Sequence, residues 1–220
     1  GGGIVSNCDL HIDTYKPADM PMAYGANNHG SIVQIKDQWY IFYHRHTNGS
    51  WYSRQGCAEP ISIAEDGSIE QVEITSCGLN GGPLAGQGEY PAYLACHLFT
   101  DEPSMYVGGD AFPKVMQDGK DGDEEIGYVG NVQNSATIGF KYFDMKNVKK
   151  IRVTMRGYIS GNIEVRLTWD GDVLASLPIE FTNVWETYES EIEIPDGIHS
   201  LYFTFRGDGN GALKSFELLV

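Results

Sequence analysis

From Lys150 to Arg156 the chain reads Lys-Ile-Arg-Val-Thr-Met-Arg, polar and apolar in strict alternation. A period of two puts one face in a core and the other in water, which is a half-buried β-strand. Further strands are expected at Ile126–Val132, Thr137–Phe143, Ile163–Trp169, Asp172–Pro178, Tyr188–Ile194, Ser200–Arg206 and Leu213–Leu218. Ser200–Arg206 alternates less cleanly, as a central strand should. About eight strands over roughly 100 residues make an antiparallel β-sandwich able to fold by itself.

The earlier half has the same period in shorter pieces. Strands are expected at Ser31–Lys36, Gln38–His44, Trp51–Gln55, Ile61–Ala64 and Ser68–Ile74, with tight turns at Lys36-Asp37 and Glu65-Asp66-Gly67. Four strands in about 45 residues make one propeller blade. A lone blade leaves a face uncovered, so this part needs something to pack against. Residues 1–24 read as loop, broken by Pro17 and Pro21. The resulting division is residues 1–77 for the incomplete blade, 78–120 for a connector and 121–220 for the sandwich. The connector is rich in glycine from Gly78 to Gly88, then apolar but interrupted by Pro91, and an acidic loop spans Asp118–Glu125.

Composition narrows the partners. The 220 residues carry a net charge of −15. That excludes nucleic acid and anionic membrane surfaces, which need clustered Lys and Arg, and suits a neutral ligand. No run is long and apolar enough to span a membrane. Cys8, Cys57, Cys77 and Cys96 lie far apart without CxxC spacing, which argues against zinc. One or two disulfides or isolated buried thiols both remain open. No signal peptide is visible, and the opening Gly1-Gly2-Gly3 suggests a chain entered midway.

Several residues are candidates for chemistry. His29 sits in the small corner Asn27-Asn28-His29-Gly30-Ser31 and leads into the hairpin. It is either a hydrogen-bonded structural histidine or a ligand; one imidazole alone is a poor calcium site, because calcium prefers several oxygens. His44 and His46, two apart, share a strand face, and without a third ligand they read as core or solvated histidines. Arg54 is either an exposed arginine or a planar fork for sugar hydroxyls or a carboxylate. Glu59 reads as structural or rim. Asp9, Asp13 and Asp19 lie in the leading loop and match nothing. Tyr128 and Trp185 are core aromatics or sugar-stacking rings. Asn210, within Gly207-Asp208-Gly209-Asn210-Gly211, reads first as a turn former.

Two motifs carry a resemblance. Asn27-Asn28-His29-Gly30-Ser31 with its hairpin, followed by Tyr52-Ser53-Arg54-Gln55-Gly56-Cys57-Ala58-Glu59-Pro60-Ile61, resembles the closing segment of glycoside hydrolase family 43. These are five-bladed propeller enzymes that release arabinose and xylose from plant polysaccharides. Ile126-Gly127-Tyr128, Phe140–Asp144, Val184–Tyr188 and Leu201–Phe205 with the Gly207–Gly211 loop resemble a jelly-roll carbohydrate-binding module of family 6. The fold implied is all-β, a partial propeller blade followed by an antiparallel jelly-roll sandwich. The resemblance implies that His29 helps hold a calcium ion at the propeller centre and that Arg54 reaches the substrate pocket. It also implies that Tyr128, Trp185 and Asn210 contact sugar. The family's catalytic carboxylates belong to earlier blades and match no residue here, so no catalytic residue is assigned. A sandwich calcium near Asp121, Asp123, Glu124 and Glu125 is not expected, because Lys214-Ser215 stands where the family's closing acidic residue belongs.

Three functions follow as expectations. The chain is the C-terminal part of a secreted or periplasmic hydrolase of arabinose- or xylose-containing cell-wall polysaccharide, completed by the missing blades. Alternatively it is a non-catalytic glycan-binding protein. The third is a structural sandwich whose cleft at Tyr128 and Trp185 is filled.

Overall fold

A computed structural model describes residues 3–6, 28–101, 112–119 and 126–220. The chain is all-β, and its strands form two sheets of very different size.

The first sheet has three strands, β1 (Ser31–Ile35), β2 (Gln38–His46) and β3 (Arg54–Ile61), antiparallel in that order. The turn between β1 and β2 is the expected one, with Lys36 at φ 56°. Two expectations are corrected. The third strand is Arg54–Ile61 rather than Trp51–Gln55, and it contains Pro60. Proline is tolerated because β3 is an edge strand, where an absent N–H need break no ladder. Ile61–Ala64 and Ser68–Ile74 form no strands, only a bridge between Ile63 and Ile69. Ala64 donates to the Ser68 carbonyl at 2.9 Å across the expected turn, but Val72 donates to the Ile4 carbonyl at 2.9 Å, and just beyond it Thr75 bonds to Glu59 at 2.7 Å and Ser76 to the Lys141 carbonyl.

The second sheet system contains β4 (Leu84–Ala85), β5 (Gly88–Pro91), β6 (His97–Phe99), β7 (Lys114–Asp118), β8 (Ile126–Val132), β9 (Thr137–Met145), β10 (Lys150–Arg166), β11 (Ala175–Ile179), β12 (Thr182–Glu191) and β13 (Gly197–Leu219). The segment expected to be a connector therefore supplies four strands to the sandwich. β10 and β13 are each one long strand where two were expected, and they pair with each other along their length. The first half of β10 pairs with β12 and its second half with β11. The first half of β13 pairs with β9 and its second half with β8 and β5. The two strands thus pass together from one layer of the sandwich to the other.

Glycines make that passage possible. At Gly209, with φ 93°, a Cβ would run into the Tyr158 carbonyl, and at Gly161 one would meet the Arg206 carbonyl. A side chain at either position would force the paired backbones apart. Between the layers lies one core that includes Phe140, Phe143, Phe203, Phe205 and Phe216.

The small sheet rests on the sandwich. Buried Arg45 of β2 donates to the carbonyls of Tyr93, at 2.6 Å, and of Ala95. Lys141 of β9 pairs with Glu73 at 2.7 Å, and the Tyr142 hydroxyl donates to the same carboxylate. Part of the support that the small sheet needs is therefore within the chain. A cavity of about 360 Å³ remains between the two parts, lined in part by Arg45, Cys57, Thr75, Tyr93 and Cys96. No disulfide joins Cys57, Cys77 and Cys96 to one another; Cys8 lies outside the described residues.

Candidate functional site

Strand alternation lines up a row of rings at the edge of the small sheet. His29 stacks on His44 with centroids 5.4 Å apart, His44 lies 5.9 Å from His46, and His46 meets Trp51 edge-on at 5.2 Å. His29 is exposed and His46 only 6% exposed. Nε2 of His44 and of His46 is buried, with no hydrogen-bond partner among the described residues. Burial, then the nearby Arg54 charge, then His44, hold the His46 imidazole below its usual pKa, against a hydrogen bond with the Ser50 backbone. A neutral ring is the form that fits beside a guanidinium. Arg54 is itself exposed, stands opposite His46 in the β2–β3 ladder, and donates to the Trp51 carbonyl.

Among the described residues no group of three His, Cys, Asp or Glu side chains could hold a metal. His29 offers one imidazole stacked on another, with no set of oxygens around it, so these residues alone do not fit calcium. Glu59 is structural. It is 1% exposed, and its carboxylate accepts from the Tyr43 hydroxyl at 3.1 Å and from the Thr75 amide and hydroxyl, each at 2.7 Å. Asp9, Asp13, Asp19, Asp121, Asp123, Glu124 and Glu125 lie outside the described residues.

On the sandwich the structure brings Tyr128 and Trp185 together. Their centroids are 5.6 Å apart with planes at 61°, an edge contact. A pyranose held between two rings needs about 3.5–4.0 Å on each side, so roughly twice that between the rings. Arg156 packs against both rings, its guanidinium 4.2 Å from the Trp185 centroid and 5.2 Å from that of Tyr128. Asp118 grips the same guanidinium at 2.7 and 3.0 Å. Burial, then the Asp118 carboxylate, raise the Tyr128 phenol, with Arg156 opposing.

The two rings touch each other edge-on. Asn210 is part of β13 rather than a turn; it stands opposite Tyr158, and its amide donates to Asn131 Oδ1 at 2.9 Å. The sequence reading missed Arg156 and Asp118. Arg156 ends the alternating Lys150–Arg156 run on its solvent side, and that position was the available signal.

Comparison with known proteins agrees with this layout. Residues 115–218 match the carbohydrate binding module family 6. Over 99% of its length the chain is 60% identical to a "Xylosidase/arabinosidase" of Thermoclostridium stercorarium, and covers 47% of that protein. It is 26% identical over 98% of its length to an "Arabinoxylan arabinofuranohydrolase" of Paenibacillus polymyxa, covering 35% of it. The chain thus spans about half or less of the length of these relatives. In fold it resembles a family 43 arabinoxylan arabinofuranohydrolase from Bacillus subtilis solved with cellotetraose, with a TM-score of 0.56, 20% identity, and coverage of 89% of this chain and 42% of that one. It also resembles a β-1,3-glucan-binding family 6 module from Bacillus halodurans, with a TM-score of 0.50, 15% identity, and coverage of 63% of this chain and 100% of that one. Residues 115–218 thus carry the pattern of a family 6 carbohydrate-binding module, and the chain as a whole is similar to part of a xylosidase/arabinosidase.

Proposed function

We propose that this chain is the glycan-binding portion of a hydrolase acting on arabinose- and xylose-containing plant polysaccharide. The 60% identity to a xylosidase/arabinosidase along nearly the whole chain carries this reading. The small sheet would then be part of a propeller blade, and the sandwich a jelly roll that keeps the enzyme on its polymer. Strand β1 exposes Ile32, Val33 and Ile35, an apolar surface that neighbouring blades would cover. Arg54 and the histidine row lie at the edge of that sheet, placed to face a site completed by those blades. Any calcium at His29 would take its oxygens from residues beyond those described. An insoluble polymeric substrate places such a protein outside the cytoplasm, secreted or periplasmic.

A second reading has one observation in its favour: Tyr128 and Trp185 touch each other and Arg156 packs against both. On that reading the sandwich is purely structural. Affinity electrophoresis of the 220-residue chain through gels containing arabinoxylan or xylan separates the two. Retardation is expected. Unretarded migration with both polysaccharides, and with other plant glycans, would leave only the structural role.

A further inference from the structure

The largest exposed ring contact on the sandwich is not the Tyr128–Trp185 pair. Tyr158 is 77% exposed and Phe181 is 56% exposed, and their centroids lie 4.7 Å apart with planes at 33°. Both therefore present ring surface to water while leaning on each other. Tyr158 stands directly opposite Asn210 in the β10–β13 ladder. Opposed residues send their side chains from one face, with Cβ atoms about 4.5–5.5 Å apart. Asn210 is exposed, and its amide is oriented by Asn131. The outcome is a row of Phe181, Tyr158 and Asn210 across the corner where the strands change layer. Two positions before Tyr158, Arg156 starts a second row with Trp185 and Tyr128.

We propose that Phe181, Tyr158 and Asn210 form the sugar-contacting platform of this sandwich, taking the apolar C–H face of one unit of a neutral polysaccharide. This rests on the glycan-binding reading above. Two aromatic rings beside an orienting amide match a pyranose, which has an apolar face and a rim of hydroxyls. A protein partner fits poorly. Two rings bury at most about 150–250 Å² each, short of the roughly 800 Å² per side of a stable protein interface. An anionic ligand fits poorly as well, because the adjacent cation, Arg156, is already paired with Asp118 at 2.7 Å. The second row adjoins the first: Arg156 packs on Trp185 of β12, the strand that begins just after Phe181.

The test is calorimetric titration of the 220-residue chain with xylohexaose and with cellohexaose, repeated for Tyr158→Ala, Phe181→Ala and Tyr158→Phe. Both side chains are exposed, so the alanine variants should keep the thermal midpoint of the parent. Each alanine variant should lose about tenfold in affinity for whichever oligosaccharide the parent binds, and Tyr158→Phe should stay within about twofold, since the ring remains. Parent-like binding by both alanine variants would overturn the platform while leaving glycan binding intact. Failure of the parent chain to bind either oligosaccharide would overturn both.

Discussion

His46 shows how one residue's surroundings set its charge. It is nearly fully buried, faces Arg54 across the ladder, and is flanked by His44 and Trp51. Burial and the guanidinium lower its pKa in the folded chain. The unfolded chain, with an ordinary imidazole near about 6.5, then binds the proton more readily. The stability contributed by neutral His46 is present above about pH 6.5 and is lost as pH falls from there through the folded pKa. The urea midpoint should therefore drop between about pH 7 and pH 5.5, and drop less in His46→Gln. An equal drop in both would place the effect elsewhere. The identity of this row was partly legible, because spacing of two puts His44 and His46 on one face. Its pairing with Arg54 was not, since it depends on where β3 begins. The same limit hid Arg156: alternation marks it as outward-facing but does not say that Trp185, Tyr128 and Asp118 converge on it.

At the scale of elements, the corner of β10 and β13 is the most demanding piece of backbone. Gly209 holds φ 93° with the Tyr158 carbonyl where a Cβ would be. Gly209→Ala should cost about 2 kcal/mol or more, from strain and displaced backbone. Gly56→Ala on β3, where a Cβ meets nothing within 4 Å, should change stability by no more than about 0.5 kcal/mol. Urea unfolding of the two variants checks both values, and equal losses would deny the corner its role. These glycines also explain how the sequence misleads. Gly157, Gly161, Gly207 and Gly209 read as strand ends, so β10 and β13 each divide in two on paper. Their function is close approach of two continuous strands rather than a turn. The Ser31–Lys36 and Gln38–His44 hairpin was legible because nothing competes with its alternation and its turn. Ser68–Ile74 was not, because Val72 within it bonds to Ile4, and Thr75 and Ser76 just after it to Glu59 and Lys141, partners far away in sequence.

At the scale of the molecule, the small sheet and the sandwich are joined by polar contacts. Arg45 reaches the Tyr93 and Ala95 carbonyls, and Glu73 holds both Lys141 and Tyr142. The Lys141 side chain is 5% exposed and that of Glu73 31%, so the ion pair is shielded from water on the lysine side. The small sheet presents its histidine row and Arg54 at one edge, while the sandwich presents Phe181, Tyr158 and Asn210 on another surface. The central claim is that the sandwich carries glycan recognition by this chain. One measurement tests it most directly: an amide chemical-shift titration of the isotope-labelled 220-residue chain with xylohexaose. Saturable shifts confined to residues around Tyr158, Phe181 and Asn210 are the predicted result. Shifts centred on His29, His46 and Arg54, or no shifts at all, would contradict it.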